Sequence, residues 1–387
     1  MITRGYLLRF DMKEIYDDSQ FHDMTLEEFQ KLIEESSEVD IPLDSFQDFV
    51  NEVNYIDEAA YWDTNNYLSY AEECLCKAEY KEAFSVAHQY SKAVPQTQQA
   101  RLRGIYDACS EHGILDASII MADYYFERWE SSDEYRGKAY KYLRRVYKAG
   151  YLPYFWKYGY CYLNGIGVLP SKLQAKCIFM DGMLCGGDDM CAGYLKYLVP
   201  EVENALEDAT TLFFDTSKEH NYRKAYELYI NAAIHAGWNS DRGYPIMRIA
   251  DIQMQKNIDD SITPRKCFLM YKTALKLGVW GYPEQDSDFD ESELYYKLGE
   301  IYFDGYGTKK DYYRAAQYLS CGWLPAFDED EKALAKREKY INEAWEKAEL
   351  LSNDDADWKY YRECFKRGEM DIYEEDEDPE DNFLYLY

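Results

Sequence analysis

The chain has 387 residues, of which 47% are hydrophobic, enough for a sizeable core, and its formal net charge is −30. A surface this acidic repels nucleic acid and anionic membranes, so neither is expected as a partner. No apolar run reaches the ~18 residues of a membrane span, no secretory signal is visible, and ten irregularly spaced cysteines indicate reduced thiols in a cytoplasmic protein.

The acidity is concentrated at the two ends of the chain. Residues 1–66 hold 17 acidic and 4 basic residues, and residues 352–387 hold 13 acidic and 4 basic residues. Residues 1–56 differ in pattern from the rest and predict an acidic N-terminal cap or small domain, whose structure the sequence leaves open. Residues 57–116 predict degenerate helix pairs, with Gly113 closing one helix.

A helical pattern then recurs and predicts the fold. Ala139 is followed three and four residues later by an apolar pair and eleven residues later by Gly150. Similar patterns, with departures in the later copies, begin at four further anchors: Ala175, Ala225, Cys267 and Ala315. Physically, the small anchor lets the helix cross a neighbour, the apolar pair packs, and the glycine ends the helix in a left-handed cap.

The anchors are 36 to 50 residues apart, which predicts insertions between some helix pairs. The expected positions are Pro200–Ser217, Asp251–Ser261 and Gly281–Asp290. Two of the cysteines, Cys177 and Cys267, are expected to be small buried residues within helices.

The partner helices carry a second pattern. Residues 158–167 and 298–307 share the order apolar-Gly-x-x-Tyr-x-x-Gly-x-Gly, and Met121-Ala122 and Ile249-Ala250 begin weaker copies. The first glycine lets two backbones approach closely, and the Gly-x-Gly turn reverses the chain into the next helix.

Residues 158–186 and 298–319 resemble Sel1-like repeats, which are relatives of the tetratricopeptide repeat. The resemblance implies an all-α fold, a right-handed α-α superhelix or solenoid of helix pairs, with about five repeats over residues 117–322. Residues 323–370 are then expected to form C-terminal capping helices. The family implies adaptor or scaffold roles.

Residues 371–387 predict an acidic, disordered tail, because EEDEDPED at residues 374–381 is of low complexity. The last residues, Phe383–Tyr387, are apolar and aromatic. Two roles are open for them, namely docking back on the solenoid as a cap or binding a partner.

The sequence contains no motif that specifies chemistry. None of the five histidines has a metal-binding or catalytic spacing, and the Gly-x-Gly turns lack the Lys-Ser/Thr of a phosphate loop. Cys74 and Cys76 point to different sides of a helix, and Cys185 and Cys191 lack a second ligand pair. We therefore expect no catalytic residue, cofactor or metal, and a hydrolase on this scaffold is the second alternative to a scaffold function.

The sequence favours the function of a protein–protein interaction scaffold. Its partner would bind a concave face lined by the first helix of each pair. Five residues at variable positions of these helices are the candidate contacts: Tyr124, Lys157, Tyr160, Lys297 and Glu300. The acidic ends favour a basic partner, and one alternative is a bacterial immunity-type protein that neutralises a basic toxin. Another alternative is a purely structural, self-assembling protein.

Overall fold

The computed structural model describes residues 66–215, 220–237, 240–279, 287–321, 331–351 and 379–385. This part of the chain is built from α-helices and short 3₁₀ turns, and the prediction of an all-α solenoid is confirmed. The predicted N-terminal cap at residues 1–56 lies outside the described residues.

The α-helices of the described residues are numbered in chain order. They are α1 (66–76), α2 (Tyr80–Gln89), α3 (Gln99–Glu111), α4 (Leu115–Phe126), α5 (Asp133–Lys148), α6 (Phe155–Asn164), α7 (Lys172–Gly186), α8 (Asp189–Leu198), α9 (Ala205–Phe214), α10 (His220–His235), α11 (Gly243–Lys256), α12 (Pro264–Leu277), α13 (Ser287–Asp304), α14 (Tyr312–Cys321) and α15 (Glu331–Leu351). Short 3₁₀ helices lie at Ser91–Ala93, Gln96–Gln98, Trp129–Ser131, Leu152–Tyr154, Ser240–Arg242 and Pro379–Asn382.

Consecutive helices pack together as hairpins, because short connections hold them side by side. The most extensive contacts are those of α4 with α5, α6 with α7, α9 with α10, α11 with α12, and α13 with α14. The widest departure from chain order among these contacts is that α7 packs directly against α12. Helices α8 to α11 therefore leave the line of the stack between these two helices, and α8 packs on both α7 and α10.

The anchor positions are confirmed as core. Ala139, Ala175, Ala225, Cys267 and Ala315 are each fully buried. A small side chain at each crossing lets neighbouring helices approach, as the repeat pattern requires.

The expectation that Cys177 is buried is wrong, since its side chain is exposed. It follows the buried Ala175 by two residues, which is about 200° around a helix and therefore on the opposite face. Among the described residues, Cys177 and eight other cysteines are free thiols.

The two best repeat copies build the same turn. All four glycines of the Gly-x-Gly turns have positive φ angles, namely Gly165 (71°), Gly167 (67°), Gly305 (70°) and Gly307 (72°). After each turn an amide returns to the tyrosine of the pattern, from Ser171 to the Tyr162 carbonyl (2.8 Å) and from Asp311 to the Tyr302 carbonyl (3.0 Å). The predicted reversal of the chain at these turns is confirmed.

The first glycine of each pattern marks a close helix approach. A Cβ built on Gly159 would overlap the ring of Phe179, and one built on Gly299 would lie 2.5 Å from Cγ of Leu319. Both contacts join the two helices of one pair, α6 with α7 and α13 with α14. Only glycine leaves room for this spacing.

Helix ends and insertions differ from the sequence prediction in detail. Helix α7 includes Gly186, and the left-handed cap is Gly187, one residue later. The insertion predicted at residues 200–217 contains a whole helix, α9, which packs on α10. About half of the insertion predicted at residues 251–261 belongs to α11, which continues to Lys256.

Polar contacts add to the apolar core between α3 and α5. Asp107 on α3 accepts hydrogen bonds from the hydroxyl of Tyr142 and from Nζ of Lys141, the latter at 3.2 Å. Burial alone would raise the pKa of Asp107, but these donors and the nearby charge of Arg145 outweigh burial and hold this pKa below its ordinary value. The charged carboxylate is therefore the form that stabilises this helix contact.

Candidate interaction surfaces

Three of the five predicted contact residues lie near one another on α4 and α6. Lys157 forms an ion pair with Asp123, the neighbour of Tyr124 in the chain. The ring centroid of Tyr160 is 6.0 Å from that of Phe126, and the Lys157 ammonium is 5.6 Å from the same Phe126 ring. Lys157 and Tyr160 of α6 therefore meet at the Phe126 ring of α4, and Tyr124 lies on the same helix as Phe126.

Lys157 is largely covered, with 18% of its side chain exposed. Besides Asp123, its ammonium faces the rings of Tyr154 at 4.7 Å and Trp156 at 5.5 Å. The Tyr154 hydroxyl donates to Asp123 Oδ2 at 2.5 Å. This network ties α6 to α4 and fixes the rings around it, since cation–π and charged hydrogen bonds strengthen where water is excluded.

The surface continues across two more helices. On one side Arg103 of α3 lies 4.7 Å from the Tyr124 ring, and on the other Tyr194 of α8 lies 5.6 Å from the Tyr160 ring. We call this surface the aromatic stripe, and every member is half-buried: Arg103, Tyr124, Phe126, Trp156, Lys157, Tyr160 and Tyr194. Rings of this kind are held in place yet keep an exposed edge.

The other two predicted residues, Lys297 and Glu300, lie on α13 at the same places in the repeat pattern as Lys157 and Tyr160. Lys297 Nζ is 3.8 Å from Glu300 Oε2, and their side chains are 30% and 28% exposed. The structure thus places the five predicted residues in two groups, one on α4 and α6 and the other on α13.

A buried ionic cluster lies beside this second group. Asp251 of α11 accepts from Arg248 Nη1 at 2.9 Å and from the Tyr271 hydroxyl at 2.6 Å, and Arg248 also pairs with Glu293 at 2.9 Å. Burial raises the pKa of the Asp251 carboxyl, while Arg248 favours its charged form. Lys297 adds a further positive charge near Asp251.

Asp251 and Asp123 are equivalent residues that the sequence analysis did not single out. Each directly follows the apolar-Ala dipeptide of its helix, at Ile249-Ala250 and Met121-Ala122. Each also accepts a tyrosine hydroxyl and lies near a lysine of the next first helix. The recurrence of Asp after this dipeptide was the signal available in the sequence.

A second surface holds the end of the chain. The amide of Leu384 donates to the Gly150 carbonyl at 2.8 Å, and Phe383 forms an isolated antiparallel bridge with Tyr151. Arg265 of α12 donates from Nε to the Phe383 carbonyl at 3.1 Å and from Nη2 to the Glu380 carbonyl at 2.5 Å. Of the two roles left open for the last residues, docking on the solenoid is what the structure shows for residues 383–385.

Side chains of this segment are also paired. Glu380 lies 3.1 Å from Lys309, Asp381 lies 3.3 Å from Lys272, and Leu384 is 2% exposed. We call residues 380–385 the tail segment. Its binding surface, the tail groove, consists of Tyr147, Gly150, Tyr151, Arg265, Lys272 and Lys309.

The described residues contain no group of three or more His, Cys, Asp or Glu side chains that could hold a metal ion. No helix among them combines the length and apolarity needed to cross a membrane.

The fold defines the class of the protein as a helical repeat array. No family model matches the chain, and a search of curated proteins found no match. One similar solved structure is a protective antigen of uropathogenic Escherichia coli with an SLR fold, which is 14% identical over 75% of this chain and 67% of that chain, with a TM-score of 0.26. Another is a Sel1 repeat protein from Oxalobacter formigenes, which is 12% identical over 79% of this chain and 98% of that chain, with a TM-score of 0.26. Both belong to the kind of repeat protein that the sequence resembles.

Proposed function

We propose that the chain is a protein–protein interaction scaffold and that the aromatic stripe is part of its contact surface. The observation that carries this proposal is the run of half-buried Tyr, Trp, Phe and Arg side chains across four helices. Tyr, Trp and Arg supply most of the binding energy at protein interfaces, because they bury a large area and keep a polar or charged tip.

The setting of the stripe supports a binding role. The Lys157–Asp123 pair and the surrounding rings hold the side chains in place before a partner arrives. Ordering side chains on binding costs about 0.5–1.5 kcal/mol for each flexible group. A stripe that is already ordered avoids much of this cost.

Tyr160→Ala tests the stripe, with Tyr197→Ala on α8 as the matched control. Tyr197 is 89% exposed and lies outside the stripe. Wild type and both variants are used to capture proteins from the native host lysate, and the retained proteins are quantified by mass spectrometry. Loss of a hot-spot tyrosine is expected to weaken binding by about 2 kcal/mol or more, so a stripe partner is lost from Tyr160→Ala alone. Equal retention by all three proteins contradicts the role of the stripe.

Lys297 and Glu300 are a second proposed contact point, because they occupy the positions equivalent to Lys157 and Tyr160. Lys297→Ala with Glu300→Ala in the same capture experiment tests them. If the double variant captures the same proteins as wild type, these two residues do not contact a partner.

A basic partner, such as a cationic toxin that the chain neutralises, is a narrower candidate supported by the net charge of −30. The free thiols fit a reducing compartment such as the cytoplasm. Exposed charges are largely screened at about 0.5 M salt. A basic protein that is captured at low salt and lost at high salt supports this candidate, whereas undiminished retention opposes it.

A further inference from the structure

The tail segment is held by main-chain contacts of the kind that bind an extended peptide. The Arg265 guanidinium donates to the carbonyls of Glu380 and Phe383, and the amide of Leu384 donates to the carbonyl of Gly150. Such contacts provide affinity without depending on the side chains of the peptide. The groove can therefore accept other extended segments.

Its side-chain contacts define which segments fit best. Lys309 and Lys272 pair with two adjacent carboxylates, those of Glu380 and Asp381. Two residues further on, Phe383 packs on the ring of Tyr151 with centroids 5.3 Å apart, and the buried Leu384 follows. A matching peptide has two adjacent acidic residues, one spacer, an aromatic residue and a leucine.

Arg265 favours exchange of one peptide for another over an empty groove. With the tail segment docked, Arg265 is 2% exposed, and the segment supplies two of its acceptors. Both acceptors are main-chain carbonyls, which any peptide has, so the same two donors can bind a second peptide when the tail segment leaves. Release of the tail segment therefore leaves a site that a second peptide of the same chemistry stabilises.

We propose that the tail groove is a recognition site for an extended acidic–aromatic peptide of a protein partner, and that the chain's own tail segment is the competitor that occupies it. This inference rests on the proposed interaction role but assigns it to a surface other than the aromatic stripe. A tethered segment competes at an effective concentration in the millimolar range. The partner peptide must exceed this competition, so the tail segment sets the threshold for binding.

The test uses the full-length chain and a fluorescein-labelled synthetic peptide of residues 376–387, followed by fluorescence anisotropy. Leu384→Asp releases the tail segment, because it would bury an unpaired charge. Leu169→Asp is the matched control, since Leu169 is 86% exposed. The Leu384→Asp chain is expected to bind the peptide at least about tenfold more tightly than wild type or Leu169→Asp, because the tethered competitor is gone.

Two further peptides define the specificity. One keeps Glu380, Asp381, Phe383, Leu384 and Tyr385 and replaces its other residues by alanine, and it should bind like the parent. The other carries Leu384→Asp and should not bind. If the parent and the alanine-substituted peptide bind the Leu384→Asp chain equally well, the result supports a partner peptide of this class. If the alanine-substituted peptide does not bind, the assigned motif is wrong.

Other outcomes overturn the proposal. If circular dichroism shows that the Leu384→Asp chain is folded and this chain binds no peptide, the groove is not a peptide site. If wild type binds the peptide as tightly as Leu384→Asp does, the tail segment is not a competitor. Should Leu384→Asp unfold the chain, Asp381→Lys replaces it, because it places like charges beside Lys272 without entering the core. If light scattering shows that wild type is a dimer and that Leu384→Asp is a monomer, the groove binds the tail segment of a second copy of this chain instead of a partner peptide. Tyr160→Ala should leave peptide binding unchanged, which separates this test from that of the stripe.

Discussion

Substitution of Gly299 by alanine tests how closely α13 and α14 approach each other. The added Cβ would lie 2.5 Å from Leu319 Cγ and 2.9 Å from the Leu319 backbone nitrogen, so side-chain rotation alone cannot relieve the overlap. Overpacking of this kind costs about 1–3 kcal/mol. Alanine in place of glycine within a helix returns about 0.5–1 kcal/mol. The net expectation is a loss of roughly 0–2.5 kcal/mol in the free energy of unfolding.

Gly137→Ala is the matched control for this prediction. Gly137 lies within α5, and apart from its chain neighbours and the backbone of its own helix nothing lies within 4 Å of a Cβ built on it. The same substitution should therefore raise the free energy of unfolding by about 0.5–1 kcal/mol. Urea unfolding followed by far-UV circular dichroism measures both variants against wild type. If Gly299→Ala is as stable as Gly137→Ala, the close approach of the two helices is wrong.

Three further predictions concern buried and charged groups. Tyr271→Phe should lower the free energy of unfolding by about 1–3 kcal/mol, because the buried Asp251 loses a donor at 2.6 Å, and an unchanged urea midpoint would contradict this. Cys177 should react with a thiol reagent in the native protein, whereas Cys267 should react only after unfolding, because burial raises the pKa of Cys267 to about 12. Peptide mapping that finds equal labelling of the two cysteines in the native protein would refute this prediction. Asp107→Asn should lower the melting temperature at pH 7 but not near pH ~2. A carboxylate whose pKa is lowered in the folded state stabilises the fold above its unfolded pKa, and this stabilisation is lost as the pH falls through the folded pKa. Equal changes in melting temperature at both pH values would exclude the ion pairs as the cause.

Local features of the fold were predictable from the sequence wherever a pattern has one physical solution. Each Gly-x-Gly turn requires positive φ angles, which glycine adopts at little cost, and each anchor requires a small buried side chain. Both features repeat, so a second copy supports the interpretation of the first. The prediction that Cys177 is buried was wrong because its exposure depends on the helix face, which the buried anchor at Ala175 already defines.

Long-range contacts were not predictable in the same way. Nothing in the spacing of the anchors indicates that α7 contacts α12, since this depends on how α8 to α11 pack as a unit. The residues near 200–217 show no glycine turn of the repeat type, yet they include helix α9. Docking of the tail segment depends on Arg265, more than 100 residues earlier in the chain.

The candidate contact residues illustrate the same limit. The repeat pattern placed Lys157 and Tyr160 correctly on a first helix, but it did not supply their partners. Asp123 and Phe126 belong to the preceding first helix, and their contacts with Lys157 follow from the stacking of the pairs. A pattern within one repeat identifies variable positions, whereas the chemistry of a surface arises between repeats.

The departure from chain order is also what makes the tail groove possible. Lys266 Nζ lies 2.6 Å from Asp181 Oδ1, which joins α12 to α7 and holds the neighbouring Arg265 close to Gly150 at the end of α5. A further helix pair between α7 and α12 would add about 8–10 Å for each interposed helix layer. The five residues from Glu380 to Leu384 are joined by four Cα–Cα steps and extend at most about 14 Å, so one short segment could not then contact Arg265 and Gly150 together. The helices that leave the stack therefore bring two distant parts of the array within reach of a single peptide.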